Sequence, residues 1–212
     1  MAFLRRPRPV APPGTFDRID DVRAAIRELH TKLSRPVIEG FGTWAPGPEP
    51  EGIAAAMTRH LGIGDTRVTV AFDALGGHVG EVELGPGPEY FVTLGVHDPR
   101  DVPAVLAHEV THIFLHRNDI RFPGLARNEI LTDTAALYLG LGRPMLAAYR
   151  VEVTQGRYTR RRTTFRVGYL SPPEMGYVLA RRALEFGEAE PEFEGAAAGA
   201  YRLGRAQAVF EN

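Results

Sequence analysis

Between residues 20 and 33 the apolar side chains fall at Val22, Ile26, Leu29 and Leu33, the spacing of one helical face. Asp20 or Asp21 is placed to cap that helix. A loop, "GTWAPGPEPEG", leads to a second short helix predicted in "IAAAMTRHLGI" and closed by Gly62 or Gly64. The pattern then changes. "RVTVAFD", "HVGEVELG" and "YFVTLGV" are short β-branched or aromatic runs, parted by "ALGG" and "GPGPE". Such short connections predict an antiparallel meander. Helical spacing returns in "AVLAHEVTHIFLH", with Asp98 or Asp101 as N-cap, and in "NEILTDTAALYLGLG", ending at Gly140 or Gly142. "PPEMGYVLARRALEF" predicts a helix with proline in its first turn. "RYTRRRTTFRVGYL" fits neither period, and "GEAEPEFEGAAAGAYRLGRAQAVFEN" is weakly patterned and expected to be partly loose.

A small sheet followed by helices predicts an α+β fold. Residues 1–18, rich in proline and arginine, read as a flexible N-terminal arm. Residues 19–212 are expected to form one domain, 19–97 carrying the sheet and 98–212 the helices with the site chemistry. The chain has no internal repeat.

Composition removes several function classes. With 25 basic and 26 acidic side chains, the net charge of -1 offers no field for nucleic acid or an anionic membrane. The arginines from Arg157 to Arg166 therefore read as a solvated strand or loop. There are no cysteines, hence no disulfide, thiolate ligand or cysteine nucleophile. No apolar run approaches the ~18 residues that span a bilayer, and the N-terminus lacks the apolar core of a secretory signal. The expectation is a soluble, cytoplasmic protein that engages neither membrane nor nucleic acid; nothing in the pattern speaks to oligomeric state.

Chemistry concentrates in His108-Glu109-Val110-Thr111-His112, an H-E-x-x-H motif. On a helix, residues four apart share a face, so both imidazoles can reach one ion. Glu109 is turned by about 100° and can address a water without ligating. Zinc needs a third protein ligand. His116 is a poor candidate, because eight helical residues set it about 12 Å along the axis from His108. Glu129 and Asp133 are better placed, one turn apart on the next helix. Leu131, Ala135, Leu137 and Leu139 make that helix largely apolar, and buried carboxylates need a metal or a partner. Glu129 would ligate, and Asp133 would accept the far N–H of a ligating histidine and fix its tautomer.

"HEVTH" followed by "NEILTD" resembles the gluzincin metallopeptidases, whose thermolysin-like members carry H-E-x-T-H and then N-E-x-x-x-D. The resemblance implies zinc on His108, His112 and Glu129, Glu109 as general base and Asp133 as support for a ligand histidine. It covers about residues 67–142 and implies a zincin-like fold, in which an edge strand, here expected to be "YFVTLGV", pairs with extended substrate. A closer resemblance covers more of the chain. "HEVTHIFLH", "LTDTAALYLGLG" and "GYLSPPEMGYVLA" look like a group of uncharacterised bacterial H-E-x-x-H proteins, a likeness that implies the metal site and no substrate. One departure from thermolysin-like enzymes is clear. The seven histidines all precede residue 117, so the downstream histidine that stabilises the oxyanion there has no counterpart. Tyr169, Tyr177 and Arg166 are the remaining candidates for that role, and Tyr177 is preferred.

The expected function is a zinc-dependent metallopeptidase acting on peptide or protein substrates. The alternative is a catalytically silent metal-binding protein of the same fold, serving as a regulatory or ligand-binding module.

Overall fold

The computed structural model describes residues 15–33, 49–75, 79–96, 98–155 and 160–211, without side chains from 153 to 163. Nearly all of the predicted N-terminal arm lies outside the described residues, as do the side chains of the arginine cluster apart from Arg166. The fold is mixed α+β, with small sheets and mostly helical content.

Helix α1 (Ile19–Lys32) buries Val22, Ala25 and Leu29, the face its spacing predicts. Its cap position is Arg18; Asp20 and Asp21 fall within the first turn, still at the positive end of the helix dipole. Helix α2 (Pro50–His60) starts on a proline and buries Ile53, Ala54 and Met57.

The three predicted strands form, as β1 (Arg67–Phe72), β2 (Gly80–Glu83) and β3 (Glu89–Leu94). Their order corrects the expected meander. It is β1–β3–β2, with β1 parallel and β2 antiparallel to β3. Burial explains why. Tyr90, Val92 and Leu94 of β3 are buried, so this strand goes to the centre. β2 is short and bears exposed Glu81 and Glu83, the character of an edge. "YFVTLGV" is therefore not an edge strand; β1 and β2 are, and Gly80 of β2 lies directly against Val105 and Glu109 of the motif helix.

Helix α3 (Val102–Arg117) carries the motif. Asp101 occupies its cap position, but its carboxylate accepts hydrogen bonds from Arg150 at 2.5 and 2.9 Å instead of capping the helix. Helix α4 (Leu125–Tyr138) is buried continuously from Glu129 to Tyr138. The short α5 (Gly142–Ala147) leads into β4 (Arg150–Gln155) and β5 (Arg160–Phe165), an antiparallel pair that resolves the ambiguous arginine-rich segment as strand.

Helix α6 (Pro172–Phe186) begins with a reciprocal capping box between Ser171 and Glu174. Glu174 also accepts the Arg18 N–H at 2.6 Å, tying the entry of α1 to α6. The C-terminal segment, expected to be partly loose, forms a 16-residue helix, α7 (Gly195–Phe210). It docks on α6 through its smallest residues. A Cβ on Gly176 would lie 2.8 Å from the Ala200 carbonyl oxygen, and one on Gly204 would collide with the Tyr177 backbone nitrogen. Among the described residues, no helix is long and apolar enough to cross a membrane.

Candidate metal centre

Two helices build the site. α3 presents His108 and His112 one turn apart, and α4 presents Glu129 towards them. The His108 and His112 Nε2 atoms are 3.1 Å apart. Glu129 Oε2 lies 3.1 Å from the first and 3.3 Å from the second. These three atoms form a nearly equilateral triangle.

The outer ring nitrogens are already engaged. His108 Nδ1 lies 2.8 Å from Asp133 Oδ1, and the other Asp133 oxygen accepts the backbone N–H groups of Tyr169 and Leu170 at 2.5 and 2.9 Å. Asp133 is fully buried and, as a carboxylate, only accepts, so His108 donates through Nδ1. His112 Nδ1 lies 3.2 Å from the Thr132 hydroxyl. That hydroxyl donates its own proton to the Asn128 carbonyl at 3.0 Å and is left to accept from His112. Both tautomers are thereby set. Each imidazole turns a bare Nε2 lone pair towards the other and towards a carboxylate oxygen, an arrangement that calls for a cation.

The spacing fits a metal. Four ligands at about 2.0–2.1 Å in tetrahedral array stand about 3.3–3.4 Å apart, close to the distances found. His108, His112 and Glu129 could thus hold one metal ion. Without an ion, a proton takes part of that role. Burial works against a charged His108, but the Asp133 and Glu129 carboxylates outweigh it and hold its pKa well above the ordinary value. Burial likewise opposes ionised Glu129, and hydrogen bonding to the two histidines still draws its pKa down to about 2.

Glu109 stands beside the triangle as a different kind of carboxylate. Burial raises its pKa, against the pull of His108 and His112. β2 passes directly over it: a Cβ added to Gly80 would lie 2.5 Å from Glu109 Oε1. Only glycine lets the strand come so close.

The other sequence candidates fall elsewhere. His116 is exposed, with Nε2 3.2 Å from the Gly85 carbonyl oxygen, and is outside the triangle as the axial distance requires. Tyr177 is buried, and its hydroxyl donates to Glu211 at 2.7 Å. This corrects its placement at the cleft: the hydroxyl serves the junction of α1, α6 and α7, where Glu211 also meets Arg23. Tyr169 acts through its backbone, and Arg166 donates to the Leu170 carbonyl at 3.1 Å, so both shape the loop that holds Asp133.

Sequence reasoning missed three contributors: Thr132, the Gly168–Leu170 loop and Gly80. Thr132 had a usable signal, since it lies three residues after Glu129 and so beside it on the helix surface, as Asp133 does at four. Gly168, with φ +83, approaches the Asp133 carboxylate so closely that a Cβ there would collide with Oδ1. Compared with known proteins, the chain matches no family model, no curated protein and no solved structure.

Proposed function

We propose that the protein is a zinc-dependent peptidase whose metal is held by His108, His112 and Glu129. The observation that carries this reading is the triangle of two tautomer-fixed Nε2 atoms and one carboxylate oxygen at 3.1–3.3 Å, with a second carboxylate, Glu109, alongside. Two nitrogens and one oxygen are the ligand set of hydrolytic zinc sites that keep a coordination position open. Zinc bound there supplies Lewis acidity towards a carbonyl oxygen and towards water. Glu109 takes the proton of the attacking water and returns it to the leaving amine; its raised affinity for a proton suits that exchange. Asp133 and Thr132 hold the imidazoles in register throughout. The outer edge of β2 is unpaired among the described residues and runs past Glu109, so an extended peptide can add to it as a further strand. The resemblance to gluzincins points the same way, with β2 in the role first expected of β3.

Two variants test the proposal. Glu129→Ala is expected to lose zinc from protein purified without chelator, read by metal mass spectrometry. Glu109→Gln is expected to keep stoichiometric zinc and lose peptide hydrolysis by at least a hundredfold. Wild-type-like cleavage by Glu109→Gln would overturn the mechanism.

One observation favours a second reading. No histidine follows the Glu129 motif, and the preferred tyrosine donor is engaged by Glu211. A metal-holding protein without turnover would need no oxyanion donor. Tight peptide binding by the zinc-loaded protein, with no cleavage across a peptide library, is the result that would select it.

A further inference from the structure

Beside the triangle, a cavity of about 520 Å³ opens between the end of β2, the C-terminal half of α3 and the start of α4, with His112 in its wall. That volume is typical of sites for small ligands or side chains. Its floor is Leu115, Ile120 and Phe122; Leu84 and Leu125 form its lip. The lip residues are 47% and 75% exposed, an apolar pair facing water at the mouth of a candidate site.

The polar groups around it are largely occupied. His116 meets the Gly85 carbonyl, and Asp119 pairs with Arg121 at 3.7 Å. Asn128 Oδ1 accepts the Phe122 N–H at 3.2 Å. The wall is also preformed. Residues 118–124 turn through left-handed conformations at Asp119 and Gly124, with φ of +49° and +82°. Arg127 covers the Phe122 ring at 5.1 Å. Asn128 is the pivot: its side chain fixes Phe122, while its carbonyl accepts the Thr132 hydroxyl that orients His112.

Strand direction decides which substrate residue meets this cavity. β2 runs from Gly80, against Glu109, to Glu83, and Leu84 follows at the cavity lip. A peptide added antiparallel to β2, the commoner pairing, runs the opposite way. The residue at Leu84 therefore precedes the bond presented to Glu109.

We propose that this cavity selects peptides with a bulky apolar residue, such as leucine, phenylalanine or methionine, on the N-terminal side of the scissile bond. The proposal rests on the hydrolytic reading of the metal centre. Leu125 and Leu84 are its specificity-determining residues. Filling the cavity with leucine in place of alanine removes enough apolar surface from water for a preference of about thirtyfold.

The test has two arms. In the first, zinc-loaded protein is given a mixed peptide library and the cleavage sites are read by mass spectrometry. Wild type is expected to cut peptides that carry leucine, phenylalanine or methionine within about four residues before the scissile bond, with kcat/KM about thirtyfold above the alanine counterpart. Leu125→Arg is expected to lower that ratio at least threefold. In the second arm, zinc-loaded Glu109→Gln binds the same leucine and alanine peptides uncleaved, with and without Leu125→Arg. The alanine-over-leucine ratio of dissociation constants is expected to fall towards one in the double variant. Cleavage without preference in that stretch, or a preference indifferent to Leu125→Arg combined with Leu84→Glu, overturns the pocket and leaves hydrolysis standing. Selective binding that Leu125→Arg abolishes, with no cleavage by wild type, keeps the pocket and overturns hydrolysis. Neither cleavage nor selective binding overturns both.

Discussion

Thr132 shows how one hydroxyl can decide what an imidazole does. It donates to Asn128 one turn back, and that leaves its lone pair for His112 Nδ1. Valine at this position keeps the shape and removes the acceptor, so His112 is free to protonate Nε2 and turn it from ligand to donor. Thr132→Val is expected to weaken zinc binding by about 10–100-fold, the usual cost of losing a group that orients a ligand. Competition against a fluorescent chelator reads this directly. Affinity equal to wild type would mean that the tautomer is set by something other than Thr132. Asp133 performs the same service for His108 with a charge, and it needs the Tyr169 and Leu170 amides because a buried carboxylate cannot stand on one hydrogen bond.

At the level of elements, the legible parts were those with strong periodicity or a dense motif. The motif helix, the Glu129 helix and the three strands could all be read from spacing, and so could His108, His112, Glu129 and Asp133 as one group. Sheet order could not, because short connections between strands do not say which strand takes the centre; the burial of Tyr90, Val92 and Leu94 does. Nor could α7. Its buried face is Ala197, Ala200, Tyr201, Gly204 and Ala208, in which only Tyr201 is large; the rest are too small to register as apolar patterning yet suited to close backbone approach. Gly204→Leu is accordingly expected to destabilise the protein by about 1–3 kcal/mol through overpacking, lowering Tm by several degrees in a chain of this size. Thermal melting checks it. A neutral result would mean α7 is held by its polar contacts instead.

Those contacts meet at Glu211, just beyond α7, which accepts from Arg23 of α1 and Tyr177 of α6. Burial raises its pKa, but Arg23 and Tyr177 together hold it below its ordinary value of 4.5. A carboxyl with a depressed folded pKa adds stability above pH 4.5, and the gain disappears as pH falls through 4.5 to the lower folded value. Glu211→Gln lacks this term. Its Tm is expected to fall less than that of wild type between pH 6 and pH 3.5, the remaining carboxyls contributing to both. Equal acid sensitivity would show that the junction adds nothing.

For the molecule as a whole, the site is a concentration of charge inside an apolar core. Glu109, Glu129 and Asp133 are all at least nine-tenths buried, against two imidazoles. Such a group strains the fold unless a cation answers it, because an unpaired buried charge costs several kcal/mol. A metal that binds the folded chain and not the unfolded one stabilises it by mass action, about 2.7 kcal/mol when free metal exceeds its dissociation constant a hundredfold. In a chain of 212 residues that corresponds to a rise in Tm of about 5–10 °C. Differential scanning calorimetry of chelator-treated protein, repeated after adding zinc, is expected to show this rise in wild type and none in Glu129→Ala. Glu109→Gln separates chemistry from stability. It retains all three donors, so its zinc-dependent rise is expected to match wild type although hydrolysis is lost. A wild-type Tm indifferent to zinc would leave the three donors in place with no ion to justify them.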